Sequence, residues 1–236
     1  MNLTTILDTL FPAGHHVRIH GHQLAGTAST NAGKVAVLGT TDAAAIDHEI
    51  ALFLAQQILT TIDAHPRRPL ILLVDTQGQA LSRAQELLCL NGSLAHLAAC
   101  VDLARRHGHL SLSLVTGEAV SGGYLSFGLM ADRAYALASS QVRVMDLKAM
   151  ARVTKIDHAK LLELSVSSPT FAPGAENYQR MGAIEDIWET PSATLLEAAL
   201  ARLLKGEAGP DLRMQTGQDR TGRVQAARIV DQILAA

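Results

Sequence analysis

The stretch LSLSLVTGEAVSGGYLSFGLM, residues 110–130, reads as an apolar strand, a tight glycine turn and the start of a helix. In that reading the backbone N–H groups near Gly122 and Gly123 point at one spot with no side chain in the way. Such a spot suits a negatively charged oxygen. The helix dipole adds to the preference, and donors fixed in advance stabilise an oxyanion without reorganising as charge develops. Gly122, Gly123 and Ser121 are therefore candidate catalytic residues for enolate or carboxylate chemistry, with Tyr124 beside them as a candidate substrate contact. By itself, a Gly-Gly turn between strand and helix serves close packing equally well.

Upstream and downstream of this stretch, further apolar runs read as strands: 34–38, 70–74, 110–115, and 133–138 running on to 142–145. Between the first two, Ile46, Ile50, Leu54, Ile58 and Ile62 recur at helical spacing. Between the second and third, Ser82 and Gln85 stand at capping-box spacing before one long helix, with a bend at Asn91-Gly92, that ends at Arg105, Arg106, His107 and Gly108. Strand, crossover helix and strand in repetition predict a largely parallel sheet covered by helices, an α/β protein. Later, 154–164 reads as a helix, NYQRMGAIEDIWE as a short helix and an edge strand, and Thr190-Pro191 as a helix N-cap with Pro at the first helical position. Two helices follow around Gly209-Pro210. No repeat or low-complexity linker divides the chain, so 1–190 is one domain and 191–236 its C-terminal helical extension, expected at a subunit interface.

Bulk composition excludes several classes. An apolar share of 48% with 18% charged residues fits a globular protein with a buried core. Lys+Arg 20 against Asp+Glu 22, with only 3% aromatics, leaves neither a basic footprint nor rings for stacking bases, so no nucleic acid partner is expected. Apolar runs such as LILLV fall far short of the ~20 residues a bilayer requires, so no membrane partner is expected. The start MNLTTILDTLFPAGHH carries no Lys or Arg ahead of its apolar residues and does not read as a secretory signal, which makes the cytoplasm the expected location. Cys89 and Cys100, eleven positions apart in one helical pattern, would sit about 16 Å apart and form no bridge.

Two other groups of residues bear on chemistry. Asp75-Thr76-Gln77-Gly78-Gln79 follows the strand LILLV directly, at the end of a parallel sheet where ligands bind, and Gly78 lets backbone approach a ligand closely. Gly78 and Gln79 are thus candidate substrate-binding residues, and the two glycine turns, at one sheet edge, are expected to line one groove. His15, His16, His20 and His22 lie in a stretch without Cys or paired acidic residues, which reads as a solvated strand or arm, and no metal is assigned.

From about residue 69 to 189 the chain resembles the carboxyltransferase branch of the crotonase superfamily. PLILLVDTQGQ is similar to that branch's strand ending in Asp-Thr-Pro-Gly, with Gln77 where Pro is usual, and RAQE to the acidic start of its next helix. GEAVSGGYLSFGLMADRAYAL resembles its Gly-Glu-x-x-Ser-Gly-Gly-Ala motif and following aspartate, and AENYQRMGAIEDIWE its closing helix and Val/Ile-Asp-x-Ile strand. The runs GHQLAGTAS, KVAVLGTTD and VRVMDLKAMARVTKID look like the malonate decarboxylase gamma-subunit family within that branch. Met145-Asp146-Leu147-Lys148 stands where the related acetyl-CoA carboxylase alpha subunit carries Ser-Pro-Glu-Gly, a departure that argues against carboxylase activity.

The resemblance implies a crotonase-like (ClpP/crotonase) fold of repeated β-β-α units. It also implies a heterodimer or heterotetramer with a homologous malonate decarboxylase beta subunit and an active site in the groove between them. The substrate implied is malonyl held as a thioester on the phosphoribosyl-dephospho-CoA arm of an acyl carrier protein, with no cofactor bound by this chain itself. Carbon dioxide leaves, and the N–H groups of Gly122 and Gly123 are expected to form an oxyanion site for either the malonyl carboxylate or the thioester oxygen, opposite a similar site in the partner. Tyr124, Glu118 and Asp146 are the nearby acids for protonating the enolate carbon. Alternatives are transfer of the carboxyl group to biotin, a scaffold subunit without chemistry, and a serine hydrolase using Ser121, whose nearest downstream His is His158 on a predicted helix.

Overall fold

The structure, a computed structural model, describes residues 2–167, 172–207 and 211–235. Helix α1 (Leu3–Leu10) is capped by Asn2, whose Oδ1 accepts the Thr5 N–H at 2.8 Å. Three antiparallel strands follow, β1 (Arg18–His20), β2 (Gln23–Thr30) and β3 (Gly33–Thr40). Only the last was legible as a strand. After β4 (Ala44–Ile46), Asp47 caps α2 (His48–Ala64), so Ile46 belongs to a strand and not to the helix the spacing predicts.

β5 (Leu70–Gln79) pairs in parallel with β3 on one side and with β6 (Ser111–Val120) on the other. Between them the single expected helix is two, α3 (Arg83–Leu87) and α4 (Leu90–Arg106). The break falls at Cys89, in the left-handed region at φ +58°, not at Asn91-Gly92. Cys89 is exposed and Cys100 buried, and neither is bridged. α5 (Ser121–Leu125), β7 (Arg133–Leu137) and β8 (Gln141–Arg143) follow. Residues 147–167 form α6 (Leu147–Thr154) and α7 (His158–Ser167), separated at Lys155, which is also left-handed; the helix expected over 154–164 corresponds to α7, and α6 before it was not expected. α8 (Ala175–Arg180) and the edge strand β9 (Asp186–Trp188) stand as expected. The cap of α9 (Ala193–Arg202) is Ser192, not Thr190. α10 (Arg213–Asp219) and α11 (Val224–Leu234) complete the chain, and the Gly209-Pro210 break lies outside the described residues.

The sheet order is β1-β2-β3-β5-β6-β7-β9, parallel from β3 onward. Both faces are covered, as a parallel sheet requires. Leu70, Leu72 and Val74 face α2 and α4 (Ile50, Leu54, Leu97, Val101), whereas Ile71, Leu73, Leu112 and Leu114 face α1 and α9 (Leu7, Leu10, Leu196, Leu200). Residues just beyond 190 therefore pack into the body of the domain. Asp132, the aspartate that follows the glycine motif, is structural: it accepts the Ser111 N–H at 2.7 Å, the Ser111 hydroxyl at 2.8 Å and Arg105 Nε at 2.8 Å, tying α4 to the starts of β6 and β7.

Beyond Val74 and Val115, where the apolar runs stop, β5 and β6 do not turn. The outer half of β5 pairs with β4 through Thr76, Gly78 and Gln79, and the outer half of β6 pairs with β8 through Glu118–Val120. Both expected glycine turns are thus partly strand, held by a second tier of short strands above the main sheet. Repeated β-β-α units of this kind are the crotonase-like architecture that the motifs imply.

Candidate functional site

The change of tier is made at Asp75, where the β5–β6 register shifts between Val74 and Thr76. The Asp75 N–H donates to Thr40 Oγ1 at 3.2 Å, and its Oδ1 accepts the Glu118 N–H at 2.8 Å. Its carboxylate lies against Gly117, where a Cβ would overlap it. Asp75 and Gly117 therefore form a latch across the two strands.

Next along β5, Thr76 is fully buried, and its hydroxyl donates to Ala44 O at 2.6 Å while accepting the Gly78 N–H at 3.0 Å. That bond corrects one expectation, because the Gly78 N–H is spent inside the protein and Gly78 is buried. What Gly78 supplies is space. At φ +107° its backbone lies under α5, and a Cβ on Gly123 would stand 2.9 Å from Gly78 C and 3.0 Å from its Cα. The two glycine segments do come together at one sheet edge, through backbone packing rather than through N–H groups that converge from both.

Ser121 opens α5 at φ +49°, a left-handed conformation that costs a non-glycine residue roughly 1–2 kcal/mol. Its hydroxyl has no hydrogen-bond partner among the described residues, and His158 makes no bond to it, so no Ser-His pair is formed there. Gly122 is half-buried, and its N–H donates to Gln79 Oε1 at 3.1 Å, while Gly123 beneath it is buried. As the third residue of its helix, Gly123 has no N–H partner from the helix ladder itself. The pairing of Gln79 with Gly122 bridges 43 positions, and nothing in the local pattern signals it.

The three acids considered as proton donors are placed against that role. Tyr124 is 1% exposed, packed in the core cluster with Val74 and Phe127, and its hydroxyl has no partner among the described residues. Burial, reinforced by the nearby Tyr178, pushes its phenol well above the usual range. Tyr124 is a core residue in this chain and not a substrate contact. Glu118 pairs with Arg143 at 2.6 Å. Asp146 is exposed and caps α6, accepting the Ala149 N–H at 2.7 Å; that bond holds its carboxyl below the usual carboxylate range and keeps it ionised.

One group escaped the sequence reading. Gln85 does bring its N–H to Ser82 Oγ, at 3.2 Å, but its side chain does not complete a capping box: Oε1 accepts the His48 N–H at 3.0 Å. The His48 ring lies 3.2 Å from Gln85 O through Nε2 and 2.7 Å from Ser93 Oγ through Nδ1. Since the carbonyl only accepts, Nε2 carries the proton, and in the neutral ring Nδ1 accepts from the Ser93 hydroxyl. His48 thereby fastens α3 and the start of α4 to α2. Leu94 of α4 comes within 3.9 Å of where a Cβ on Gly122 would stand, so this clamp sets one wall of the groove.

Large apolar side chains are exposed at and beside α3, Leu81 (82%), Leu87 (73%) and Leu88, and along the chain after β8, Val144, Val153 and Val166. Burying one such side chain is worth about 1.5–3 kcal/mol, so a strip of this kind favours a protein partner. Among the described residues, no His, Cys, Asp and Glu group is arranged to hold a metal, and no helix is long and apolar enough to cross a membrane. His20 lies on the exposed strand β1, and His15 pairs with Asp8 at 3.3 Å.

Comparison with known proteins bears on the family and the fold. The family model described as the malonate decarboxylase gamma subunit matches residues 41–236. The malonyl-S-ACP:biotin-protein carboxyltransferase MADD of Malonomonas rubra is 32% identical over 195 residues, covering 75% of this chain and 67% of that protein. A Pseudomonas malonate decarboxylase hetero-tetramer, solved with coenzyme A, aligns with TM-score 0.75 at 23% identity over 96% of this chain and 97% of the matched chain. The Pseudomonas MdcD-MdcE hetero-dimer aligns with TM-score 0.74 at 24% identity over 97% and 96%.

Proposed function

Because the chain belongs to the malonate decarboxylase gamma-subunit family, we propose that it forms one wall of a malonyl-thioester decarboxylation site whose other wall is a homologous beta subunit. The substrate is malonyl on the phosphoribosyl-dephospho-CoA arm of an acyl carrier protein, and the beta subunit holds that arm. The bond between the α-carbon and the carboxylate breaks, its electron pair passes into the thioester carbonyl, and carbon dioxide leaves. The enolate oxygen is met by donors at the junction of the two glycine segments, and a proton then adds to the α-carbon to give the acetyl thioester. Removing one such donor costs about 3–4 kcal/mol of barrier.

The observation that carries this reading is the junction of Gly78 with Gly123 at the ends of β5 and β6, which sets Gln79 and the half-buried Gly122 amide against each other at the sheet edge, with Leu81, Leu87 and Leu88 exposed at and beside α3. Such an edge is half a site. The solved Pseudomonas relatives are a hetero-dimer and hetero-tetramers, which supports a partner for this chain as well. A strained Ser121 without a base argues against covalent catalysis.

A second reading has one specific support, the carboxyl transfer to biotin-protein that the name of MADD records. Both are tested by co-expressing the chain with the products of neighbouring genes and measuring carbon dioxide release from malonyl carrier protein, with and without avidin. Release by the assembled complex that avidin leaves untouched, and none by this chain alone, is the expected result. Inhibition by avidin would favour carboxyl transfer, and full activity of the partner alone would make this chain a scaffold.

A further inference from the structure

Gly122 offers the donor that the glycine motif is expected to present, yet that donor is already taken by Gln79 Oε1 at 3.1 Å. The acceptor belongs to a residue at the end of β5, held by pairing with Ile46 of β4, while β6 pairs with β5 as far as Thr76. A carboxamide is planar with an acceptor at one corner and two donors at the other. Since the Gly122 group can only donate, the corner facing it must be Oε1, which turns Nε2 away from α5. Gln79 is half-buried, and its Nε2 has no partner among the described residues. A polarised amide donor thus stands free beside the junction of the two glycine segments.

We infer that the Gln79 Nε2 amide, and not the bare Gly122 N–H, is the donor this chain presents to substrate, and that it binds the thioester carbonyl oxygen on which the enolate charge develops. The inference rests on the decarboxylation reading above. Three features select that oxygen and that atom. The Gly122 N–H bound at Oε1 draws electron density through the amide and makes the Nε2 hydrogens better donors. The Gln79 donor is neutral, and the nearby guanidinium of Arg143 is engaged by Glu118 at 2.6 Å, so nothing here suits a fixed carboxylate better than a carbonyl whose charge is still to form. Finally, the pairing positions the side chain in advance, so that it need not reorganise as the charge appears.

Gln79→Ala and Gln79→Glu, each assembled with the partner subunit, test the inference with malonyl carrier protein as substrate. In Gln79→Ala the Gly122 N–H is freed but the amide donor is lost; kcat should fall about 100-fold or more with KM within about threefold. Gln79→Glu still accepts from Gly122 but places negative charge where the donor stood, and should fall further. Wild-type or higher kcat in Gln79→Ala would overturn the inference, because Gln79 would then be a plug on the Gly122 donor. A raised KM at unchanged kcat would overturn it too, since the amide would then hold the ground-state carboxylate.

An independent readout uses 15N-labelled complex and a ketone analogue of the acetyl thioester on a pantetheine arm. The Gln79 side-chain NH2 resonance, assigned by its loss in Gln79→Glu, should shift on titration. An unmoved resonance at saturating analogue would refute the role of Nε2 even if decarboxylation is confirmed. No carbon dioxide release by the wild-type complex would instead sink the functional reading, with the resonance still deciding whether Gln79 meets an acyl oxygen.

Discussion

Replacing Gly123 by Ala and Gly122 by Ala should have opposite consequences, although the two residues are adjacent. A Cβ at Gly123 would stand 2.9 Å from Gly78 C and 3.0 Å from its Cα and O, all backbone atoms without a rotamer to escape into. Carbon pairs settle at about 3.5–4.0 Å, so β5 and α5 would have to part by roughly 0.5–1 Å. Overpacking of this kind costs about 1–3 kcal/mol, and a helical Ala in place of Gly returns at most about 1 kcal/mol. With roughly 2–4 °C per kcal/mol in a chain of this size, Gly123→Ala should lower Tm by several degrees, up to about 12 °C. At Gly122 the nearest atom to a new Cβ is Gln79 Oε1, at 3.1 Å, the end of a flexible side chain that can swing aside. The lost hydrogen bond, about 1 kcal/mol, is offset by helical propensity, so Tm should stay within about 2 °C while kcat falls about tenfold or more. Thermal unfolding of each variant and carbon dioxide release by the assembled complex measure both quantities. If Gly123→Ala is as stable as wild type, or Gly122→Ala the less stable of the two, the backbone junction is not what holds the site.

Tyr124→Phe removes a buried hydroxyl that has no partner among the described residues, so it should leave stability unchanged or raise it by up to about 1 kcal/mol, with decarboxylation unaffected. A large drop in kcat would return Tyr124 to the reaction. Asp146 has its carboxyl held low by the Ala149 N–H, so its contribution is present above the unfolded carboxylate range, near pH 4, and is lost as pH falls through the lower folded value. Asn caps as well as Asp but does not titrate, so Asp146→Asn should abolish that acid-dependent loss; parallel acid dependence of unfolding in the two proteins would contradict the capping role.

The parts legible in the sequence are those with local causes. The strand starts at Leu70, Ser111 and Arg133, the crossover helices and the place where Ser121 and Gly122 leave the sheet all follow from apolar runs and glycine. The outer halves of β5 and β6 were not legible, because DTQGQ and GEAV have turn composition and become strands only when β4 and β8 pair with them. The five residues of α5 are too few to show a period, so the inward direction of Tyr124 carried no signal. Non-glycine left-handed residues, Cys89, Ser121 and Lys155, broke or opened helices where no glycine announced it. Gln79 was placed in the site for its position after Gly78, whereas its bond to Gly122 arises only once β5 and β6 lie side by side.

The second tier of strands explains why this arrangement suits charge stabilisation better than nucleophilic attack. Donors on a mobile loop would have to be ordered as the enolate forms, and that cost would be subtracted from the stabilisation they offer. Here Gln79 is the last residue of a ten-residue strand, and Ser121 follows another directly. The Asp75 latch fixes the two strands against each other at the point where the register shifts. The strain at Ser121 is borne by this framework, and its result is to set the next amide toward Gln79 rather than to raise a hydroxyl toward a base. A serine nucleophile on the same turn would need a histidine within hydrogen-bond reach. His48, at the start of α2, is already engaged with Ser93 and Gln85 and makes no bond to Ser121, which is consistent with the proposed role of this edge as a fixed donor to a developing negative oxygen.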